Sequence, residues 1–356
     1  MRAFDYTAAP SRVIFGAGSL QHLGREIERL GAQRALVLST PEQAAQAQRV
    51  ADMLGSKAAG IFAHAVMHVP IETAREARVL AQQLGADCAV AIGGGSTIGL
   101  GKAIALDSAL PILAIPTTYA GSEMTPIYGI TEAGLKKTGR DARVLPRTVI
   151  YDPELSLSLP WDMTVTSAIN AIAHAAECLY AQERNPVMDL MAEEGVRAMA
   201  DGVRRLKTLP NDIDARSDCL YGAWLCGSVL GSVGMALHHK LCHTLGGSFN
   251  LPHAPTHTVV LPHALAYNAT AVPEAMQRLG RALACDAMAV PQTLFSLSRE
   301  LGAPTSLRDI GMQAVDLDRA TEIACSNAYW NPRALTHIAI RALLQRAWDG
   351  APPMLD

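Results

Sequence analysis

Through residue 150 the chain alternates short apolar runs with stretches of helical period. Arg34–Ser39, Cys88–Ile92, Pro111–Ile115 and Thr148–Tyr151 read as buried strands, and Gly60–His64 is a weaker candidate. Between them Pro41–Leu54, Ile71–Leu84 and Ile98–Leu106 place apolar residues on one helical face. Strands that alternate with helices predict a mostly parallel sheet covered on both sides. Beyond Pro160 strand-like runs vanish except Thr258–Leu261, and helical periodicity takes over in Met163–Ala181, Val187–Leu206 and Ile213–Leu245. The pattern predicts an α/β, Rossmann-like domain over 1–158. An all-α domain over 159–356 follows it.

The composition is that of a packed globular protein: 49% hydrophobic and 18% charged residues in a chain of 356. A net charge of -3 argues against nucleic acid or an anionic membrane as the main partner. No apolar run reaches transmembrane length, and the N-terminus lacks a signal-peptide core. The seven cysteines form no CxxC pair, which suits reduced thiols in a cytoplasmic protein.

Gly93-Gly94-Gly95-Ser96-Thr97 ends a predicted strand and opens a predicted helix. In that context glycine lets backbone N–H groups approach an anion, and the helix N-terminus adds partial positive charge. The next strand ends in Pro116-Thr117-Thr118, whose hydroxyls stand at the ligand edge of a parallel sheet. They could hold ribose or phosphate, or only cap the turn.

Seven of the histidines fall between 174 and 263. His239 and His243 are four apart on one predicted helix, and Asn170 and His174 share that spacing on another. His253 and His257 follow Leu251-Pro252, and His263 follows Pro262; the two helical pairs plus a loop histidine could converge on one pocket and serve a metal or acid–base chemistry. A metal is disfavoured, because the set offers imidazoles and an amide without a carboxylate. Glu177, three residues beyond His174, is rotated partly off its face.

Together these residues resemble the iron-containing alcohol dehydrogenase superfamily, which has the dehydroquinate synthase-like fold. Val13–Gly18 is similar to its opening hairpin, Gly93–Ser96 to its phosphate loop, and Ile115–Thr118 and Tyr151–Leu155 to later cofactor-side segments. His239-x3-His243-x9-His253 is similar to its histidine signature. Two departures stand out. The position of the metal-ligating aspartate is Asn170, and the acid common after the phosphate loop is Gly99. Lys137–Asp141, Asn170–His174 and His238–Phe249 resemble the maleylacetate reductase branch.

That resemblance implies reduction of a small dicarboxylate, maleylacetate, to 3-oxoadipate by NADH or NADPH, with no metal. It implies catalytic roles for His243, His253, His239, His174 and Asn170. Cofactor contacts would come from Ser39, Gly94, Gly95, Ser96, Thr117, Thr118 and Lys136, with Lys137 as the alternative lysine. It also implies a homodimer. A metal-dependent alcohol dehydrogenase of the same superfamily is the alternative, and a lyase of the dehydroquinate synthase type is a further rival.

Overall fold

The protein was analysed as a computed structural model that describes residues 4, 6–9, 11–133, 135–326 and 329–355, with Leu135 and Lys136 described by backbone alone. It divides into two compact units. One comprises Thr7–Leu159 with Asn211–Leu220, and the other Pro160–Pro210 with the chain from Tyr221 onward, joined by the N-terminal residues to Tyr6.

In the first unit the strands are β1 (Arg12–Phe15), β2 (Ala35–Leu38), β3 (Ala58–Phe62), β4 (Cys88–Gly93), β5 (Ile112–Pro116), β6 (Ile127–Glu132), β7 (Leu135–Arg140) and β8 (Thr148–Tyr151). The helices are α1 (Leu23–Arg29), α2 (Ala44–Leu54), α3 (Ile71–Gln83) and α4 (Gly95–Ser108). Six strands form a parallel sheet in the order β1-β8-β5-β4-β2-β3. Because successive side chains point to opposite faces, Val37, Val90 and Ile92 pack against α1 and α2. Leu36, Leu38 and Ala89 pack against α3 and α4. Both faces of β2 and β4 are thus buried, which is why those strands read as unbroken apolar runs.

The opening segment is not a hairpin. β1 pairs in parallel with β8, Arg12 opposite Thr148, and Gly16 and Gly18, both at positive φ, turn the chain away. The antiparallel hairpin is β6–β7 instead. Its second strand is polar (Lys136-Lys137-Thr138-Gly139-Arg140), so no apolar alternation announces it.

The second unit is helical: α5 (Trp161–Cys178), α6 (Pro186–Thr208), the later part of α7 (Ile213–Ser232), α8 (Leu237–Phe249), α9 (His253–Asn268), α10 (Pro273–Leu283), α11 (Val290–Glu300), α12 (Leu317–Ser326) and α13 (His337–Asp349). The predicted helix over 213–245 is broken at 233–236, which separates α7 from α8. The strand-like Thr258–Leu261 lies inside α9, every residue buried. A short β-branched run looks the same whether it is core strand or core helix, and burial among helices decided it. His253, His257 and His263 all belong to this helix, so none of them is the expected loop histidine. No single described helix is long and apolar enough to cross a membrane.

Candidate active site

At the sheet edge, β4 ends on Gly93 and α4 begins at Gly95. Gly93 has φ +151°, and a Cβ there would lie 2.5 Å from Thr97 Oγ1 and 2.7 Å from Gln43 Oε1. No other residue fits. A Cβ on Gly94 would fall 2.9 Å from Thr118 Cγ2. Gly94 is half-buried, Gly95 exposed and Ser96 half-buried, so the loop's backbone faces outward at the helix N-terminus.

Thr117 N–H donates to Gly93 O (3.1 Å), and Gln43 Nε2 donates to Thr117 Oγ1 (2.9 Å). Gln43 therefore crosses from the end of β2 over β4 to the end of β5, a reach that the sequence does not signal. Thr97 is fully buried, and its Oγ1 has no hydrogen-bond partner among the described residues. It stands in the first turn of α4.

Ser39 is placed differently from the sequence expectation. It has no exposed surface, and its hydroxyl donates to Thr40 O at 3.0 Å. Thr40 and Glu42, not Ser39, are the accessible side chains just beyond the end of β2. Glu42 is held below the usual carboxylate range by its backbone hydrogen bond and the Thr40 hydroxyl. The side chain of Lys136 lies outside the described residues. At Gly99 a Cβ would meet Val69 Cγ2 at 2.8 Å, so a side chain there would require Val69 to shift.

Behind the loop, Lys102 of α4 is buried. Its Nζ donates to Ser122 O (2.6 Å), Thr125 O (2.8 Å), Thr125 Oγ1 (2.9 Å) and Ile127 O (2.7 Å). Burial pulls its pKa down to about 7. Glu123 in the same segment is buried too and accepts the Tyr151 hydroxyl at 2.7 Å.

In the helical unit the histidines gather. α5 presents Asn170, His174 and Glu177; α8 presents His238, His239 and His243; α9 presents His253 and His257. His174 stacks on His239 (centroids 5.3 Å apart), and His257 lies 5.1 Å from His239 and 4.4 Å from His253. His239 and His243 are 6.0 Å apart. His243 and His253 are exposed, whereas Asn170, His174, His239 and His257 are buried. Asn170 Oδ1, His174 Nδ1, His239 Nε2 and His257 Nε2 have no hydrogen-bond partner among the described residues. Buried orphan groups of this kind mark a place where a ligand belongs.

Two placements, those of Glu177 and His263, differ from the sequence reading, and His238 joins the cluster as well. Glu177 belongs to the cluster: its Oε2 accepts from His239 Nδ1 at 2.5 Å, and its oxygens also accept the backbone N–H groups of His238 (2.7 Å) and His239 (3.3 Å). Burial alone would raise its pKa, but the His239 ring and hydrogen bond hold it at about 2. His238 is also inside, its Nε2 2.9 Å from His257 Nδ1. His263 stands apart, against Phe295. Burial, with repulsion from neighbouring rings, keeps His174 and His257 neutral and pushes His238 down to about 3.

A glycine loop at the edge of a parallel sheet and a histidine cluster among helices can be compared with known proteins. Residues 10–153 match the model of iron-containing alcohol dehydrogenases, and residues 164–348 match that of the C-terminal part of Fe-containing alcohol dehydrogenases. The chain belongs to the iron-containing alcohol dehydrogenase family. It is 64% identical over 353 residues to a maleylacetate reductase of Burkholderia cepacia, covering 99% of this chain and 100% of that one. It is 56% identical over 351 residues to one from Sphingobium indicum, covering 99% of each. The crystal structure of maleylacetate reductase from Agrobacterium tumefaciens superposes with a TM-score of 0.95 at 53% identity, covering 99% and 100% of the two chains. An iron-containing alcohol dehydrogenase fold, an NAD(P)-binding α/β unit and a small-molecule substrate follow for this chain.

The family name raises the question of iron. His174, His239 and His257 offer nitrogens within 4.8 Å of one another, a spacing that would admit an ion. The chemistry fits iron poorly. Asn170 is a neutral ligand, and the cluster's carboxylate, Glu177, is engaged by His239 Nδ1 and two backbone N–H groups. A divalent iron would sit among neutral donors with no hard anionic ligand.

Proposed function

We propose that the chain reduces the carbon–carbon double bond of maleylacetate to give 3-oxoadipate, using NADH or NADPH, in the breakdown of aromatic compounds and without a metal ion. Full-length similarity to maleylacetate reductases carries this reading, and the neutral donor set around Asn170 supports its metal-free form.

A nicotinamide held at this edge would supply the hydride for the carbon β to the substrate ketone. Gly94, Gly95 and Ser96 at the start of α4, with Thr117, Thr118 and Gln43 beside them, would hold the dinucleotide phosphates and ribose. As the hydride adds, negative charge develops on the ketone oxygen. An enolate is much less basic than the alkoxide of an alcohol dehydrogenase, so an imidazole donor suffices where a metal would otherwise be needed. His243 and His253, the two exposed rings, face the substrate as donors. Asn170, His174 and His239 complete the pocket and receive the substrate carboxylates. The seven cysteines form no disulfide among the described residues, which suits the cytoplasm, and a homodimer is expected from the family resemblance.

One assay tests the reading: NADH oxidation by the purified protein with maleylacetate against simple aldehydes, and alcohol oxidation with NAD⁺. Turnover of maleylacetate alone is expected. Turnover of alcohols with none of maleylacetate overturns it.

A further inference from the structure

α8 starts without a capping side chain. Its N-cap residue is Ala236, and residues far off in the chain answer the backbone N–H groups of its first turn. Glu177 of α5 accepts those of His238 and His239, and Asn331 Oδ1 accepts that of Leu237 at 3.4 Å. Asn331 lies between α12 and α13. Its Oδ1 also accepts Asn268 Nδ2 at 3.0 Å, while its Nδ2 donates to Asn268 Oδ1 at 2.8 Å and to Arg333 O at 2.7 Å. Both lone pairs and both hydrogens of the amide are thus spent. Asn268, fully buried, is the last residue of α9.

The same short segment grips the end of α9 a second time. Arg333 Nη1 donates to Tyr267 O at 2.9 Å, its guanidinium lies 4.2 Å from the centroid of the Tyr267 ring, and the Tyr267 hydroxyl donates to Ala334 O at 2.6 Å. A cation in that position also meets the negative end of the helix dipole. At its other end α8 is joined to α9 by the chain itself, through residues 250–252. The two helices are closed at both ends, by a turn at one and by Asn331 at the other. Between the closures α8 carries His238, His239 and His243, and α9 carries His253 and His257.

We propose that Asn331 is a positioning residue: by tying the first turn of α8 to the last turn of α9, it sets the spacing of the histidines that those helices bring to the substrate. The inference rests on the reading that the chain reduces maleylacetate at this cluster. Asn331 acts through the backbone. His238 and His239 follow Leu237 directly, so a slip of the first turn moves both rings against His174 and His257, which lie 5.3 and 5.1 Å from His239. Glu177 fixes that turn to α5, and Asn331 fixes it to α9. Displacement of a catalytic group by about 1 Å can cost about 100-fold in rate.

Two variants test this. Asn331→Asp has nearly the same shape and keeps an oxygen for Leu237 N–H and Asn268 Nδ2. It turns its second oxygen toward Asn268 Oδ1 and Arg333 O, which can only accept. Asn331→Ala removes the tie outright. For both, kcat with maleylacetate is expected to fall about 10–100-fold. The Kd for NADH should stay within about 2-fold by fluorescence titration, because the glycine loop belongs to the other unit. Diethyl pyrocarbonate, which acylates accessible imidazole, gives a readout independent of turnover. The buried His174, His238, His239 and His257, mapped by peptide mass, should react at least about 3-fold faster in either variant as the helices part. If Asn331→Ala does not fold, Asn331→Asp carries the test. Folded variants whose buried rings react no faster than in wild type, or whose kcat stays within about 3-fold of it, overturn the positioning role. Wild-type protein that does not turn over maleylacetate refutes the proposed function instead, and the acylation rates then decide the spacing by themselves.

Discussion

Nε2 of His238 stands 2.9 Å from Nδ1 of His257, and both side chains are buried. Sequence spacing alone puts His238 one step off the catalytic face, where an alanine would cost little. The contact changes that expectation. His238→Ala strands a buried ring nitrogen and leaves a cavity beside Cys242, so a loss of about 2–4 kcal/mol is expected. Urea denaturation of wild type and variant measures it, and a loss below about 0.5 kcal/mol would show that the contact is not held in solution.

Acid should destabilise the protein early. His174, His238, His257 and His263 are buried with their pKa values pulled below the ordinary 6.5, to about 3 for His238 and about 4 for His263. Unfolding restores the ordinary value, so below pH 6.5 the unfolded chain binds protons that the folded one refuses. Stability is full above that pH and declines as pH falls toward the folded values, at roughly 1 kcal/mol per pH unit for each group. Glu177, held at about 2, contributes in the same direction once pH drops below 4.5. The urea midpoint should fall continuously from about pH 7 to pH 5, and a flat profile would contradict neutral buried histidines.

His243 is exposed at the edge of the cluster, so removing it tests chemistry with little cost to packing. His243→Ala is expected to lower kcat about 10²–10³-fold, the usual cost of one oxyanion donor. NADH binding should be unaffected. Unchanged turnover would move the donor role to His253.

Prolonged chelation followed by gel filtration should leave activity intact, because the site supplies no hard anionic ligand. Metal analysis of the same sample gives an independent reading. Activity that is lost on chelation and restored by iron or zinc would favour the alternative, a metal-dependent alcohol dehydrogenase.

Cofactor choice should be permissive. Ser39 is sealed in the core and cannot touch a ribose 2′ group, and Glu42 is fully exposed, where its repulsion of a phosphate is screened. Both NADH and NADPH should serve, with kcat/KM values within about 30-fold. Strict NADH use that relaxes in Glu42→Gln would show that this carboxylate excludes the 2′-phosphate.

Much of the fold could be read from residues that act locally. Cys88–Ile92 announces a doubly buried strand, Gly93-Gly94-Gly95-Ser96-Thr97 announces the turn beyond it, and the i, i+4 pairs Asn170/His174 and His239/His243 announce the cluster. What stayed hidden depends on partners distant in sequence. Glu177 is off the His174 face of its own helix, yet the backbone of α8, about 60 residues on, comes to it. Gln43 gains its role from Thr117, which lies 74 residues away. Ser39 stands at the strand end where a ribose contact was expected, but neighbouring segments cover it, and no helical or strand period reports that.

Lys102 gives the cofactor edge a mechanical character. Its ammonium has three hydrogens and four oxygen neighbours, all on the segment Ser122–Ile127, so at least one bond is shared and the ammonium is held from several directions. α4 and the stretch that follows Thr117 and Thr118 are thereby joined into one stiff body, with Gln43 fastening its outer side. A dinucleotide held there, as proposed, would meet a finished berth rather than a flap that must fold over it. Little ordering entropy is lost at this edge on binding, and affinity is set by the contacts themselves.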